Sequence, residues 1–230
     1  MPRPSRRDEV RATAARIFRE QGYLAATMDL IADEVGLNKG TLYHYYPAKS
    51  AILNELLSEQ VDATLELLAR VPLTGSGLDR MRFFVREQVA LVATKHDELV
   101  VFFQEVPWID QRLPEEQARS IRQRIYRYEE FVKSLLAEGT RTGEFRPLSP
   151  STILYSIIGL LAYLPNWYRR PANASTDARL IDEVTEFVIS GIRAVEPPAA
   201  TSAAPAGSGK VTATTAAATP KAPRRQRVKG

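Results

Sequence analysis

The sequence predicts an all-α fold, and three observations lead to this prediction. Apolar residues recur at intervals of three and four through most of the first 195 positions, which is the spacing of one helix face. Glycine and proline interrupt this pattern at points that suit helix ends. No two neighbouring segments show the alternation of a convincing strand pair.

The first predicted helix ends at Gln21. Ser5 is a candidate N-cap, with Asp8 three residues later as in a capping box. Gly22 is suited to end the helix, because glycine enters the left-handed backbone conformation without strain.

Two short helices separated by a tight turn are predicted next. Thr27 is a good N-cap for the first of them, and Gly36 is suited to end it. Asn38 can cap the second helix. Pro47 disfavours helical geometry at Tyr46, so the second helix must stop there. The pattern is that of a helix-turn-helix.

The second of these helices carries more polar and aromatic groups than so short an element can bury. Leu42 can point back to the preceding helix, which leaves on the outside Lys39, Thr41, Tyr43, His44 and Tyr45. An exposed helix with such groups can enter the major groove of DNA, where they meet base edges and phosphates. The alternative is a solvated surface turn.

Longer helices are predicted for the rest of the chain, over Lys49–Ala69, Leu78–Ala93, Leu99–Val106, Glu115–Glu138, Ser151–Tyr163 and Asp177–Val195. Leu99–Val106 is apolar enough for a strand, but its helical neighbours favour a buried helix. Pro165 is expected to kink or end the helix that precedes it. The last two helices form either a four-helix interface of a homodimer or part of a monomer core.

A set of aromatic and polar side chains in the middle and late helices predicts a small-molecule cavity. The set comprises Phe84, Gln88, Phe102, Phe103, Glu105, Trp108, Tyr126, Tyr163 and Trp167. Aromatic bulk with a few polar groups is the usual lining of such cavities. For any one of these residues, an ordinary place in the core is an equal alternative.

Composition limits the functions that the chain can have. The chain contains no Cys, which excludes disulfides and thiolate metal sites and agrees with a reducing cytoplasm. We expect no secretory signal and no contact with a membrane, since no apolar run reaches spanning length. The two His form no metal-binding pair, and sequence motifs of nucleophile elbows, P-loops and dinucleotide sites are missing. We therefore expect no catalysis, no cofactor and no metal.

The formal net charge of +4 is unevenly distributed. Residues 197–230 contain six basic residues and no acidic ones, so the remainder carries −2. This Ala-, Pro-, Thr- and Ser-rich segment is expected to be disordered, and its basic end either attracts DNA non-specifically or is inert. Arg3, Arg6 and Arg7 form an arm that either lies on DNA or is a frayed terminus.

A long ordered motif lies between Asp8 and Leu56. Its segments are Ala14-Ala15-Arg16-Ile17-Phe18, Gln21-Gly22-Tyr23, Ala26-Thr27-Met28, Ile31-Ala32, Val35-Gly36, Lys39-Gly40-Thr41-Leu42-Tyr43-His44-Tyr45-Tyr46 and Lys49-Ser50-Ala51-Ile52-Leu53. This motif resembles the N-terminal domain of TetR-family transcriptional repressors, with Tyr46 at a position where Phe is commoner. The resemblance implies that Thr27 and Lys49 fix phosphates and that the groove is faced by Lys39, Gly40, Thr41, Tyr43, His44 and Tyr45.

A shorter match concerns the ligand domain. His96 through Glu105, the helix and turn from Arg122 to Phe145, and Asn166-Trp167-Tyr168-Arg169-Arg170-Pro171 resemble TetR-family regulators of lipid or steroid breakdown that respond to acyl-CoA thioesters. Ala172-Asn173 departs from the pattern, because Gly usually follows that Pro. Cations for the phosphates of CoA are available at Arg122, Arg124, Arg169 and Arg170, although a solvated helix face is the alternative for at least two of them.

The sequence thus predicts a cytoplasmic, homodimeric repressor. It would hold a palindromic operator in double-stranded DNA and release it when a small molecule, an acyl-CoA thioester or another lipid-like metabolite, enters the C-terminal domain. The expected divisions are a DNA-binding domain at residues 1–48, a ligand-binding and dimerisation domain at 49–196 and a tail at 197–230. The alternative is a helical scaffold whose head contacts protein and binds DNA no better than its charge allows.

Overall fold

Helices make up nearly all of the computed structural model, which describes residues 5–168 and 174–194. They are α1 (Arg6–Gln21), α2 (Met28–Val35), α3 (Lys39–Tyr45), α4 (Lys49–Arg70), α5 (Gly77–Thr94), α6 (His96–Glu105), α7 (Ile109–Arg112), α8 (Glu115–Arg141), α9 (Pro150–Trp167) and α10 (Ala174–Ile192). Over these two ranges no strand forms, and Phe145 and Arg193 make an isolated bridge. The predicted all-α fold is confirmed.

Two details of the helices were left open by the sequence. The apolar run that also suits a strand lies in α6 and is helical. Pro165 lies inside α9 and does not end it, because the helix continues for two more residues to Trp167. The predicted disorder of residues 197–230 concerns residues outside the described ranges. None of the described helices is both long and apolar enough to cross a membrane.

Local capping determines the ends of the first three helices. Ser5 and Asp8 form the predicted capping box at the start of α1. Thr27 accepts a hydrogen bond from the Leu30 amide at the start of α2, and Asn38 accepts one from the Thr41 amide at the start of α3. Gly36 ends α2 with a φ of 71°, a conformation that other residues rarely adopt.

Two consecutive arginines of α1 hold the ends of the helix-turn-helix. Arg6 Nη2 donates to the Val35 carbonyl at 2.9 Å, at the C-terminus of α2. Arg7 Nη1 donates to the Tyr45 carbonyl at 3.4 Å, at the C-terminus of α3. A cation is favourable at each of these carbonyl ends. Arg6 and Arg7 therefore belong to α1 rather than to a free arm, while Arg3 lies outside the described ranges.

The interior contains two apolar clusters, which we call the head core and the body core. The head core consists of the buried apolar residues of α1, α2, α3 and the first half of α4, together with Tyr23, Ala26, Tyr46, Val101, Ile109, Leu113, Ala118 and Ile121. The body core consists of the buried apolar residues of α5, α9 and α10, together with Leu67, Leu68, Val71, Leu99, Tyr128, Val132, Leu135, Leu136, Phe145 and Tyr168. Three helices, α4, α6 and α8, thus contribute to both cores. The division at residue 48 stays a prediction, and packing crosses it.

The turn after α8 closes the body core. Glu144 accepts from the Gly77 and Leu78 amides at 3.0 and 3.1 Å, so it caps the N-terminus of α5. The hydrogen bond from Gly77, with support from Leu78, holds the pKa of Glu144 below its ordinary value. The Phe145 ring packs directly on Gly139, where a Cβ would lie 2.2 Å from the ring. This close approach requires glycine at position 139.

Tyr46 joins the end of the helix-turn-helix to α4. Its ring is 1% exposed, and its hydroxyl donates to Glu55 at 3.1 Å. The Arg7 guanidinium lies 4.5 Å from the centre of this ring and also pairs with Glu55. Burial alone would raise the pKa of Glu55, but hydrogen bonds from Arg7 and Tyr46 outweigh it and hold the pKa below its ordinary value. The hydroxyl, which Phe lacks, is therefore part of an ionic cluster.

Tyr46→Phe is expected to lower the free energy of unfolding by about 1 kcal/mol at pH 7, because Glu55 loses a donor. The pKa of Glu55 is depressed in the folded state, so its contribution exists above the ordinary value of 4.5 and disappears as pH falls through the lower folded value. The difference between the two proteins should shrink below that pH. Urea denaturation at several pH values measures the loss of unfolding free energy and its pH dependence. Tyr43→Phe, at an exposed position, is the control. An equal loss at all pH values would contradict the role of Glu55.

Candidate DNA-binding surface and ligand cavity

One side of α3 is buried and the other faces solvent. Leu42 is fully buried in the head core. Lys39, Tyr43 and His44 are exposed on the opposite side, while Thr41 and Tyr45 are half-buried. The face therefore presents a cation, a hydroxyl, an imidazole and two phenols beside the bare backbone of Gly40. These groups are suited to base edges and phosphates in a major groove.

Lys39 is paired with Asp29 at the start of α2. The Nζ lies 2.8 Å from the carboxylate, and both side chains are largely exposed. The hydrogen bond to Asp29 raises the pKa of Lys39 and keeps the lysine charged. A solvent-exposed ion pair is weak. Lys39 can therefore exchange this carboxylate for a phosphate without a large loss of stability.

Lys49 has a different set of partners from the phosphate that the resemblance implies. Its Nζ donates to the carbonyls of Tyr23, Leu24 and Ala26 at 2.6, 3.2 and 2.6 Å, and it lies 4.5 Å from the centre of the Tyr23 ring. Burial, together with the charge of Arg112, lowers the pKa of Lys49. The residue fastens the α1–α2 loop to the start of α4, and a phosphate contact stays a prediction.

The other described cations of the head are also paired. Arg11 contacts Asp8, Glu55 and Glu59; Arg16 contacts Glu20 and Glu34; and Arg19 contacts Glu20 and Asp97. The head therefore presents no large unpaired positive field in its described part. Contact with DNA must depend on the placement of the α2 N-terminus and the outer face of α3.

A cavity of about 260 Å³ lies among α4, α5, α6, α8 and α9. It is lined by Gln60, Val61, Thr64, Gln88, Leu99, Phe102, Phe103, Val106, Pro107, Ile125, Tyr128, Glu129, Tyr155, Ile158 and Leu161. Most of these side chains are apolar, and a few polar groups are distributed among them. This is the usual character of a small-molecule site.

The cavity contains part of the predicted ligand set. Gln88, Phe102 and Phe103 line it. Phe84 is fully buried behind it, with its ring centre 6.0 Å from that of Tyr128. Glu105 is absent from the described lining, and its carboxylate accepts a hydrogen bond from Arg112 at 2.9 Å.

Other members of that set lie elsewhere. The structure places four aromatic residues away from the cavity lining, each at least half exposed: Trp108, Tyr126, Tyr163 and Trp167. The sequence shows that these residues are aromatic, but it does not show that their side chains face solvent. Arg170, like Arg169, lies outside the described residues.

Gln60, Thr64 and Tyr128 were not in the predicted set. Gln60 interrupts the apolar face of α4 next to Val61 and is 3% exposed. A polar residue at a position that helical periodicity places in the core was the signal that could have found it.

Two of the arginines considered for phosphate binding are occupied. Arg122 pairs with Asp110. Arg124 lies 2.6 Å from Asp62 and donates to the Ser58 hydroxyl at 3.0 Å. Among the described residues that line the cavity, none is a lysine or an arginine. The interior therefore suits an uncharged group better than a phosphate.

Comparison with known proteins identifies both halves of the chain. Residues 10–56 match the family of bacterial regulatory proteins of the tetR type, and residues 74–192 match the Tetracyclin repressor-like C-terminal domain. The HTH-type transcriptional repressor KstR2 of Mycobacterium tuberculosis (strain ATCC 25618 / H37Rv) is 29% identical over 194 residues, which is 82% of this chain and 93% of the relative.

Solved structures share the fold. That of the ketosteroid transcriptional regulator KstR2 of Mycobacterium tuberculosis has a TM-score of 0.74 and 25% identity, over 84% of this chain and 97% of that one. AibR in complex with isovaleryl coenzyme A and operator DNA has a TM-score of 0.67 and 24% identity, over 80% of this chain and 97% of that one. At this identity, the AibR structure supports the fold alone.

Asp29→Asn is expected to raise affinity for duplex DNA by about two- to fivefold at low salt, because it frees Lys39 for a phosphate. The gain should fade as salt is raised. Fluorescence anisotropy with a labelled duplex measures the effect. Asp33→Asn, one turn further along α2, removes the same charge without freeing Lys39 and is the matched control. Equal gains in the two variants would show that Lys39 does not contact DNA.

Proposed function

The chain belongs to the TetR family of bacterial regulatory proteins, and from this premise we propose that it is a ligand-responsive transcriptional repressor. It binds a palindromic operator as a homodimer and leaves it when a small molecule occupies the cavity. The observation that carries this proposal is the two-sided α3, with Leu42 buried and Lys39, Tyr43 and His44 outward. As a bacterial DNA-binding regulator, it acts in the cytoplasm.

In this proposal α3 lies in the major groove. Its outer face, with Lys39, Thr41, Tyr43, His44 and Tyr45, meets base edges and phosphates, and Gly40 lets the backbone approach the groove closely. Thr27 lies at the N-terminus of α2, where a phosphate is favoured by the helix dipole. Lys49 keeps the α1–α2 loop on α4, and it reaches a phosphate only when one of its carbonyl partners is given up.

Tyr43→Ala is expected to reduce operator affinity about tenfold or more and to leave the dimer intact, because Tyr43 is exposed on α3 and absent from the cores. Electrophoretic mobility shift with operator and scrambled duplex measures affinity, and light scattering measures mass. Tyr126→Ala, an exposed tyrosine of α8, is the matched control. Unchanged operator affinity in Tyr43→Ala would contradict the proposed position of α3 in the major groove.

The proposed dimer surface consists of α9 and α10. Large side chains project from it into solvent: Tyr163, Trp167 and Phe187, the last with 73% exposure. A groove between the helices is lined by Ile153, Ile157, Leu160, Phe187 and Val188, among others. An exposed apolar surface of this kind is typical of a subunit interface. Two protomers joined here would place two copies of α3 on successive major grooves about 34 Å apart.

Phe187→Asp is expected to shift the protein to monomers and to reduce operator affinity on the order of 100-fold, because one half-site alone then binds. Multi-angle light scattering reports the mass, and the mobility shift reports the affinity. Tyr126→Asp places the same charge at an exposed aromatic outside α9 and α10 and should change neither. A dimer that survives Phe187→Asp would contradict this interface.

The proposed effector is a lipid-like metabolite. The KstR2 relative is a ketosteroid transcriptional regulator. The cavity of this chain is mostly apolar, which suits a ligand of similar character. An acyl-CoA thioester would fit only with its acyl part inside, since the described lining offers no cation for the phosphates.

The proposed route of release runs through α4 and α6. Gln60 and Val61 of α4 line the cavity, and the same helix begins at Lys49 against the Tyr23 ring. Phe102 and Phe103 of α6 line it too. The same helix carries Glu105, whose partner Arg112 has its guanidinium carbon 5.8 Å from the centre of the Tyr23 ring. A ligand that moves either helix shifts the head, and so the population of dimers with operator spacing.

A further inference from the structure

A buried glutamine of the cavity has an unsatisfied polar atom. Gln60 lines the cavity from α4 and is 3% exposed. Its Oε1 is inaccessible to solvent and has no hydrogen-bond partner within the described part of the chain. A buried acceptor without a donor destabilises the protein. Such an atom at the edge of a binding cavity indicates a missing donor.

Two further polar groups line the same cavity with spare hydrogen-bonding capacity. Gln88 on α5 donates to the Tyr128 hydroxyl on α8 across 3.4 Å, which is long for a hydrogen bond. Burial raises the pKa of Tyr128, so the phenol stays neutral and keeps its proton. The Tyr128 hydroxyl accepts from Gln88 and still has that proton to donate.

The charge of the lining disfavours an anion. Glu129 lines the cavity, where it accepts from the Tyr155 hydroxyl at 3.1 Å. Its nearest cation is Lys133, at 3.6 Å, which does not line the cavity. A carboxylate on the ligand would therefore be buried near another carboxylate and without a cation.

On the premise of the proposed effector site, we infer that the effector is an apolar molecule with an uncharged hydroxyl or carbonyl group, which Gln60, Gln88 and Tyr128 recognise. A hydroxyl can donate to Gln60 and accept from Gln88 or Tyr128. A carbonyl can only accept, so it uses the donors on α5 and α8. A ligand that lacks the oxygen leaves these buried groups unpaired, which is the basis of strong discrimination.

The inference is tested by calorimetric titration of the full-length protein with three probes of equal chain length: 1-decanol, 2-decanone and decanoate. The two neutral probes should bind at least about tenfold more tightly than decanoate. Tighter binding of the alcohol assigns Gln60 as the acceptor, and tighter binding of the ketone assigns the Gln88 and Tyr128 donors. Binding of decanoate as tight as that of the neutral probes, or binding of none of the three, overturns the inference.

Variants assign the residues. Gln60→Leu should weaken 1-decanol about five- to tenfold, because the alcohol loses its acceptor, and Tyr128→Phe should weaken 2-decanone by a similar factor, because the ketone loses a donor. Gln60→Leu should also raise Tm by a few degrees, because it removes the unsatisfied atom. Gln117→Leu is the matched control: its Oε1 is likewise buried without a partner, but it lies outside the cavity lining. It should raise Tm and leave probe binding unchanged.

These results separate the inference from the proposed function. Equal probe affinity in Gln60→Leu, Tyr128→Phe and Gln117→Leu overturns the inference. Operator binding by the unaltered protein without any probe reports on the proposed function alone, and Gln117→Leu should bind operator as the unaltered protein does. If the unaltered protein binds the neutral probes but no operator, the cavity chemistry stands and the repressor proposal fails.

Discussion

Shared burial of α4, α6 and α8 is the constraint on which the rest of the structure depends. Each of these helices contributes side chains to both cores: Val61 and Leu68 on α4, Val101 and Leu99 on α6, Ile121 and Tyr128 on α8. A close-packed interior resists small displacements because its side chains interlock. The head therefore cannot turn on the body without disturbing the packing of helices that also line the cavity. The burial that stabilises the fold is also what would carry a ligand's effect to α3.

Polar contacts restrict the head further. Lys49 and Arg112 approach the Tyr23 ring, Arg19 lies 2.9 Å from Asp97, and the ring of His96 bonds to Asp97 and to the Pro165 carbonyl. The last of these links α9, in the proposed dimer surface, to α6 and then to α1. In the proposed dimer, a change at the interface and a change in the cavity would thus reach the head through the same helix. Coupling of this kind requires two arrangements of the linked elements rather than gradual bending.

The sequence predicted what local chemistry decides. Caps at Ser5, Thr27 and Asn38, and the left-handed Gly36, depend on neighbours in the chain, and the helices formed as expected. Contacts between residues distant in the chain could not be predicted from the sequence. Periodicity does not show that Lys49 contacts the α1–α2 loop or that Trp108 faces solvent. Only Gln88, Phe102 and Phe103 of the predicted set line the cavity, since its lining depends on how five helices pack. The sequence shows Gln60 as a polar residue on an apolar helix face. Only the structure shows that its side-chain oxygen lacks a hydrogen-bond partner.

The most direct test of a ligand-responsive repressor is a footprint on labelled DNA from upstream of its own gene, with scrambled competitor at two salt concentrations. The titration is repeated with neutral lipids and acyl-CoA thioesters. We predict protection of a palindrome that survives competitor and is lost when one of these ligands is present. If scrambled competitor abolishes binding to the labelled fragment, the protein recognises no operator in that DNA. A helical scaffold with incidental affinity for DNA would then be the better account.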